Sequence, residues 1–188
     1  MFKELVAAEF GAYGSLSLTQ LDRLERHYAD LTRWNERLNL TRIRELGDSV
    51  RFHYCESLFL ARSLPAGALR IADIGSGAGF PGIPIAIFRP DCEVTLVESH
   101  QRKAVFLREA ARGLPNVRVI AKRAEELQDR FNWLVSRAVA PADVLRLRLA
   151  ENILLLIGED DAAKLTGDAT QLPWGNQRVL FHVKHAAS

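Results

Sequence analysis

Apolar residues recur at helical spacing between Leu18 and Leu38, at Leu18, Leu21, Leu24, Tyr28, Leu31, Trp34 and Leu38, and Ser17 with Gln20 forms an S-x-x-Q capping box ahead of them. The pattern predicts an amphipathic helix. A second helix is expected with Asp48 as N-cap and Val50, Tyr54, Leu58 and Ala61 along one face, so residues 1–65 read as a helical region. From Leu69 the period shortens. The β-like runs at 69–74, 93–99, 116–121 and 131–138 alternate with helical segments that begin near Pro81, His100 and Ala140. This is the grammar of βαβ units. It predicts a Rossmann-like α/β fold over residues 66–188, a parallel sheet with helices on both faces, preceded by the N-terminal helical segment within one compact domain. Toward the end of the chain, residues 152–158 are expected to finish a helix, 160–168 to contain a short strand, and 177–185 to form an edge strand after the turn at 172–176.

Composition supports a folded, self-sufficient domain. Of 188 residues, 48% are hydrophobic and 26% charged, and a chain of this length buries roughly 70% of its unfolded surface without needing disulfides or a structural metal. Cys55 and Cys92 show no C-x-x-C spacing and read as reduced thiols. No apolar run approaches the ~20 residues of a membrane span, and Glu4 and Glu9 interrupt the stretch where a signal peptide would be apolar, so a cytoplasmic protein with no membrane partner is expected. His182 and His185 lack a third ligand, and no metal is expected.

The strongest chemical signal is the segment Asp73, Ile74, Gly75, Ser76, Gly77, Ala78, Gly79 and Phe80, which follows a β run and opens a helix. Its G-x-G-x-G spacing is neither the G-x-G-x-x-G of dinucleotide sites nor a P-loop, which weakens an NAD-dependent oxidoreductase reading and favours a nucleoside without phosphates. Glu98 ends the next strand, where a doubly wound fold places the acid that accepts hydrogen bonds from ribose hydroxyls. Together these fit S-adenosylmethionine: Asp73 and the glycine backbone beside the amino-acid part, Glu98 on the ribose, and apolar groups such as Phe80 around the adenosine. Ala124 and Glu125 follow the third strand and are candidates for the adenine edge; Arg137 closes the fourth and points either into the cleft or at a structural carboxylate, the cleft being favoured beside the glycine loop. No D-P-P-Y or N-P-P-Y follows that strand, and neither cysteine sits as a pyrimidine C5 nucleophile, which disfavours adenine-N6 and cytosine-C5 methylation.

Charge is close to balanced, at +2, but unevenly spread. Between His100 and Arg123 stand Arg102, Lys103, Arg108, Arg112, Arg118, Lys122 and Arg123 against Glu109 alone, a candidate polyanion surface, with Arg33, Arg37 and Arg42 of the first helices as a second basic cluster.

Trp34-Asn35 with Asn39-Leu40-Thr41, His53 with Ser57-Leu58, then DIGSGAGFPGIPIAI, TLVES and SRAVAP resemble the bacterial glucose-inhibited division protein B family, from about the capping box to Pro141. The resemblance implies a Rossmann-like S-adenosylmethionine-dependent methyltransferase that methylates N7 of a guanine in a loop of 16S ribosomal RNA, with 16S rRNA or the small ribosomal subunit as partner. By the same resemblance Gly75, Phe80, Ala124, Glu125 and Arg137 match cofactor-binding positions and Glu98 the ribose-binding acid. Asn35, Asn39, Arg42 and His53 match polar positions suited to RNA, with capping and interhelical hydrogen bonds as their structural alternative. Phe52 stands where the family commonly has Arg, Thr166 near a common lysine, and the chain after Gly167 is shorter than usual. A monomer is expected. Guanine N7 loses no proton on methylation, so no acid or base is assigned and Arg137 has a positioning role. Two rivals stay open: a methyltransferase acting on a protein or small molecule, and a non-catalytic RNA-binding or nucleotide-sensing module.

Overall fold

The computed structural model describes residues 1–184. Helices α1 (Phe2–Phe10) and α2 (Leu18–Leu38) come first, then α3 (Leu46–Ser49), which runs through a π-helical turn at Val50–Cys55 into α4 (Glu56–Ser63). The α/β part follows as β1 (Arg70–Ile74), α5 (Gly82–Phe88), β2 (Glu93–Val97), α6 (Gln101–Ala110), β3 (Val117–Ile120), β4 (Trp133–Arg137), α7 (Pro141–Arg146), β5 (Asn152–Gly158), α8 (Glu159–Ala162), β6 (Asp168–Gln171) and β7 (Arg178–Lys184). The strands form one sheet in the order β3-β2-β1-β4-β5-β7-β6. β1 to β5 are parallel, and β7 runs antiparallel between β5 and β6. Strand order reverses between β1 and β4, so the crevice at their carboxyl ends is where this topology places a ligand.

Both reciprocal bonds of the α2 capping box form: Gln20 N–H donates to Ser17 Oγ at 3.2 Å, and Ser17 N–H to Gln20 Oε1 at 2.9 Å. The buried stripe of α2 differs from the purely apolar one expected. It runs through Leu21, Leu24, His27, Leu31 and Asn35, whereas Leu18 is 79% exposed. The helix expected to start at Asp48 begins instead at Leu46, with Glu45 as N-cap, and the π-helical turn interrupts it; Val50, Tyr54, Leu58 and Ala61 are all buried as the pattern requires.

The sheet divides two apolar layers. One face packs Ile71, Leu96, Val135 and Leu156 against Phe2, Val6, Phe10, Leu24, Leu31, Leu58, Ile85 and Phe106, so the N-terminal helices share a core with α4, α5 and α6. On the other face, Ile74, Leu134, Ile153 and Phe181 meet Val144 of α7, Ala162 of α8 and Phe131. Three expectations for the end of the chain are corrected. Residues 152–158 are not helix but β5, paired to β4 and β7, and a strand buried on both faces is apolar throughout rather than alternating. Residues 160–168 hold the end of α8 and a turn, β6 starting only at Asp168. β7 is paired on both sides and the exposed β6 is the edge. Among the described residues no helix is long and apolar enough to cross a membrane.

Candidate functional site

After β1 the chain turns sharply: the N–H groups of Gly75 and Ser76 both donate to Val97 O of β2, at 2.9 and 3.1 Å. Gly75, Gly77 and Gly79 have φ of +70°, +53° and +88°, a region that favours glycine. They are not equivalent. A Cβ on Gly75 would lie 2.4 Å from Val139 Cγ2, whereas a Cβ on Gly77 would meet only Gly75 O, at 3.7 Å, so the loop is packed at its first glycine and open at its second. Glu98, 7% exposed, accepts from Gly77 N–H at 2.9 Å and from His100 N–H at 2.8 Å, one bond on each oxygen. Each oxygen keeps a second lone pair for a hydroxyl donor. Asp73 is fully buried at the base of the loop. Its Oδ2 accepts from Gly82 N–H at 3.0 Å, and its Oδ1 is the one buried side-chain polar atom without a partner among the described residues. Burial pushes this carboxyl up to about 7, the Gly82 bond opposing the shift.

Behind the loop stands a residue that sequence reasoning missed. His27 of α2 is 1% exposed; its Nε2 contacts Ala78 O at 3.0 Å and its Nδ1 the Tyr54 hydroxyl at 3.0 Å. Burial holds its pKa down at about 4. The neutral ring with the proton on Nε2 satisfies both partners, donating to the loop carbonyl and accepting from Tyr54. The signal was available as a histidine within the α2 stripe, but spacing alone does not distinguish it from a surface residue.

Arg137, at the end of β4, is half-buried. It donates from Nη1 to Nδ1 of His53, whose Nε2 lies 2.7 Å from Thr41 Oγ1 and whose ring stacks on Phe80 at 4.6 Å and 19°. Arg137 makes no ion pair among the described residues. Glu56, the nearby carboxylate, is bound bidentately by Arg178 of β7 at 2.6 and 2.8 Å. Burial lowers Arg137 to about 10, which leaves it cationic at neutral pH.

Phe80 stands elsewhere than expected, Asn35, Asn39 and His53 take the capping and interhelical bonding settings given as their alternative, and Arg42 is exposed. Phe80 is 5% exposed within a cluster of His27, His53 and Tyr54 rings, not on the cleft wall. Asn35 and His53 are 8% and 5% exposed, so their side chains are committed inside: Asn35 donates to Thr41 O at 3.0 Å and accepts from Thr41 N–H at 2.9 Å. Asn39 is the exposed left-handed C-cap of α2, at φ +48°. Arg42 is exposed beside it.

Two cavities gather most of the remainder. A cleft of about 290 Å³ at the carboxyl ends of the strands is lined by Gly75, Ser99, Arg123, Ala124, Glu125 and Val139 among others, joining the glycine loop to the turn after β3. A groove of about 620 Å³ between α2 and α6 has Trp34, Leu38 and Val105 as its apolar floor and Arg33, Arg37, Arg102 and Glu109 on its rim. Arg33 is held by Asp30 and Glu109 by Arg112, while Arg37 and Arg102 have no acidic partner among the described residues. The groove thus brings Arg33 and Arg37 together with Arg102, the one base of the 100–123 stretch that lines it; Lys122 and Arg123 line the cleft, and Arg42 and Lys103 line neither. His182 stacks on Trp133 at 5.2 Å, and His185 lies outside the described residues. No group of three or more metal-ligating side chains occurs among the described residues.

A cradle open at Gly77, a buried carboxylate oxygen without a donor, Glu98 at the strand end and a cationic fork with only one bond used suit a ligand that carries an ammonium, a carboxylate and a nucleoside. The chain matches a family model described as rRNA small subunit methyltransferase G over residues 20–180. It is similar to two curated proteins named ribosomal RNA small subunit methyltransferase G. That of Chromobacterium violaceum is 45% identical over 130 residues, covering 66% of this chain and 62% of the relative. That of Halorhodospira halophila is 45% identical over 133 residues, covering 69% and 63%. The matched stretch therefore spans less than two thirds of these relatives' own length. Among solved structures, a SAM-dependent O-methyltransferase from Thermotoga maritima matches with a TM-score of 0.58 at 13% identity, over 84% of this chain and 72% of that one, a likeness of fold alone.

Proposed function

Because the chain belongs to the rRNA small subunit methyltransferase G family, we propose that it methylates N7 of a guanine in a loop of 16S ribosomal RNA, using S-adenosylmethionine. The observation that carries the reading is the Gly77–Glu98 hydrogen bond, which joins an open glycine cradle to a strand-end carboxylate at the switch point of the sheet. The bound cofactor supplies an electrophilic sulfonium methyl group. In this reading Gly77 admits it through bare backbone beside Gly75 in the wall of the cleft, Asp73 accepts from its ammonium, and Glu98 accepts from its ribose hydroxyls. Ala124 and Glu125 meet the adenine edge, and Arg137 binds the methionine carboxylate.

Guanine N7 presents an in-plane lone pair and releases no proton, so the chain needs no general base. Its work is alignment, worth roughly 7 to 11 kcal/mol when two bound reactants are well oriented. The N7 edge of a paired guanine lies in the deep, narrow major groove of A-form RNA, which side chains do not enter, so the target is an unpaired or splayed guanine. The groove between α2 and α6 supports an RNA substrate over a small molecule: apolar Trp34 and Val105 between Arg37 and Arg102 suit bases and phosphates of a single strand. Either 16S rRNA or the small subunit is the partner, in the cytoplasm, and the chain acts as a monomer. Transfer of labelled methyl from S-adenosylmethionine to 16S rRNA, with total protein as the competing acceptor, tests the assignment: label in RNA supports it, and label in protein alone rejects it.

A further inference from the structure

We propose that His53 is a positioning residue for Arg137, its imidazole held by Thr41 and Phe80 so that the guanidinium is fixed for an anionic group at the carboxyl ends of β1 and β4. The proposal rests on the reading that this group is the carboxylate of the cofactor's amino-acid chain.

Four observations carry it. His53 is 5% exposed, so it does not reach RNA from where it stands. Both ring nitrogens are used, Nδ1 by Arg137 and Nε2 by Thr41 Oγ1 at 2.7 Å. The ring plane is fixed by the 19° stack on Phe80, the residue that leaves the glycine loop. Arg137 has no carboxylate to orient it, because Glu56 is committed to Arg178, so the imidazole is the only side-chain acceptor it uses among the described residues. Thr41 is itself anchored: its Oγ1 also accepts from Ile43 N–H at 3.1 Å, and Asn35 grips its backbone on both sides. The chain of contacts therefore ends on the buried Asn35 in the last turn of α2, not in solvent. Only a neutral ring accepts from a guanidinium, and burial together with the Arg137 charge keeps His53 neutral, down to about 2.

Calorimetry with two ligands separates positioning from mere packing. S-adenosylhomocysteine carries the amino-acid chain, and 5′-methylthioadenosine is the same nucleoside without it. His53→Phe keeps the stack and removes both nitrogens. It should weaken S-adenosylhomocysteine about tenfold, the scale of one hydrogen bond to a charged group, and change 5′-methylthioadenosine less than about twofold. His53→Asn returns an acceptor near the Nδ1 position and should recover part of the loss. Thr41→Val removes the ring's anchor without touching Arg137, and should give a smaller loss of the same selectivity, which keeps the test alive if His53→Phe does not fold. Adding Arg137→Ala to His53→Phe should cost less than Arg137→Ala alone, since the two act as a unit. Equal weakening of both ligands, or of neither, overturns the proposal. If Arg137→Ala alone leaves S-adenosylhomocysteine affinity unchanged, the carboxylate reading of Arg137 fails as well, a signature distinct from a failure at His53.

Discussion

The carboxylate of Glu98 at the end of β2 accepts the N–H of Gly77 at 2.9 Å, across 21 positions of sequence, and so holds the second glycine of the loop to the neighbouring strand. Its other oxygen takes His100 N–H and fixes the entry to α6. One side chain therefore shapes the cradle from the end of β2, and in the proposed function the same carboxylate takes the ribose hydroxyls. Glu98→Ala should weaken S-adenosylhomocysteine by about 1.5 to 3 kcal/mol, the usual scale of hydrogen bonds to a charged group, measured by calorimetry. An unchanged affinity would remove Glu98 from the site.

The glycines should respond differently to the same added methyl. Gly75→Ala meets Val139 at 2.4 Å as well as an unfavourable φ, so it should lower folding stability by about 2 to 4 kcal/mol in urea melts. Gly77→Ala carries only the backbone cost, about 1 to 2 kcal/mol, because nothing crowds the new carbon. Gly77→Val, with a branched side chain in the open cradle, should abolish cofactor binding while the fold persists. Equal stability losses for the two alanine variants would contradict the packing difference.

His27 makes stability depend on pH. Its folded pKa, about 4, lies below its unfolded value of 6.5, so the folded state resists protonation. The contribution is intact above pH 6.5 and is lost as pH falls from there toward 4. At pH 5 the loss is about 2 kcal/mol from this one residue. His53 acts with the same sign, whereas Asp73, raised to about 7, acts with the opposite sign and favours the folded state as pH falls below 7. Parent stability is thus a partial cancellation, and the clean observable is a difference. Between pH 7 and pH 5, His27→Phe should lose about 2 kcal/mol less than the parent, whatever its absolute stability. Identical pH profiles would show that His27 is not buried as a neutral ring.

Features of this fold that are written in local spacing are legible in the sequence, and those made by distant contacts are not. The capping box of α2, the βαβ alternation, the glycine loop and Glu98 are read from spacing, and the structure forms each of these elements. Residues 152–158 are ambiguous because a strand buried on both faces and a buried helix segment are equally apolar over seven positions. The π-helical turn at Val50–Cys55 inserts its extra residue without disturbing the i, i+4 apolar pattern, so the sequence carries no mark of it. His27, and the exchange by which Glu56 takes Arg178 and leaves Arg137 to His53, depend on contacts between residues far apart in the chain, and no pattern within one segment encodes them.

The groove between α2 and α6 gives the RNA reading an electrostatic test. Arg37→Glu and Arg102→Glu should each lower affinity for a single-stranded 16S rRNA fragment and reduce its log-log salt slope by about 0.7 for every phosphate no longer neutralised. Val105→Glu, at a side chain 50% exposed in the groove, should weaken the same RNA without unfolding the protein. S-adenosylhomocysteine affinity should not follow any of the three. RNA binding that is indifferent to salt and to these variants would take the groove out of the interface.

Methylation of guanine N7 is decided by mass spectrometry of nucleosides digested from 16S rRNA after reaction with this protein and S-adenosylmethionine. 7-Methylguanosine is expected as the only new product, at one guanine, lost when that guanine is held in a fully paired duplex and lost in Arg137→Ala with the melting temperature near that of the parent. A methyl group on an exocyclic amine, or equal methylation of the paired guanine, would contradict it.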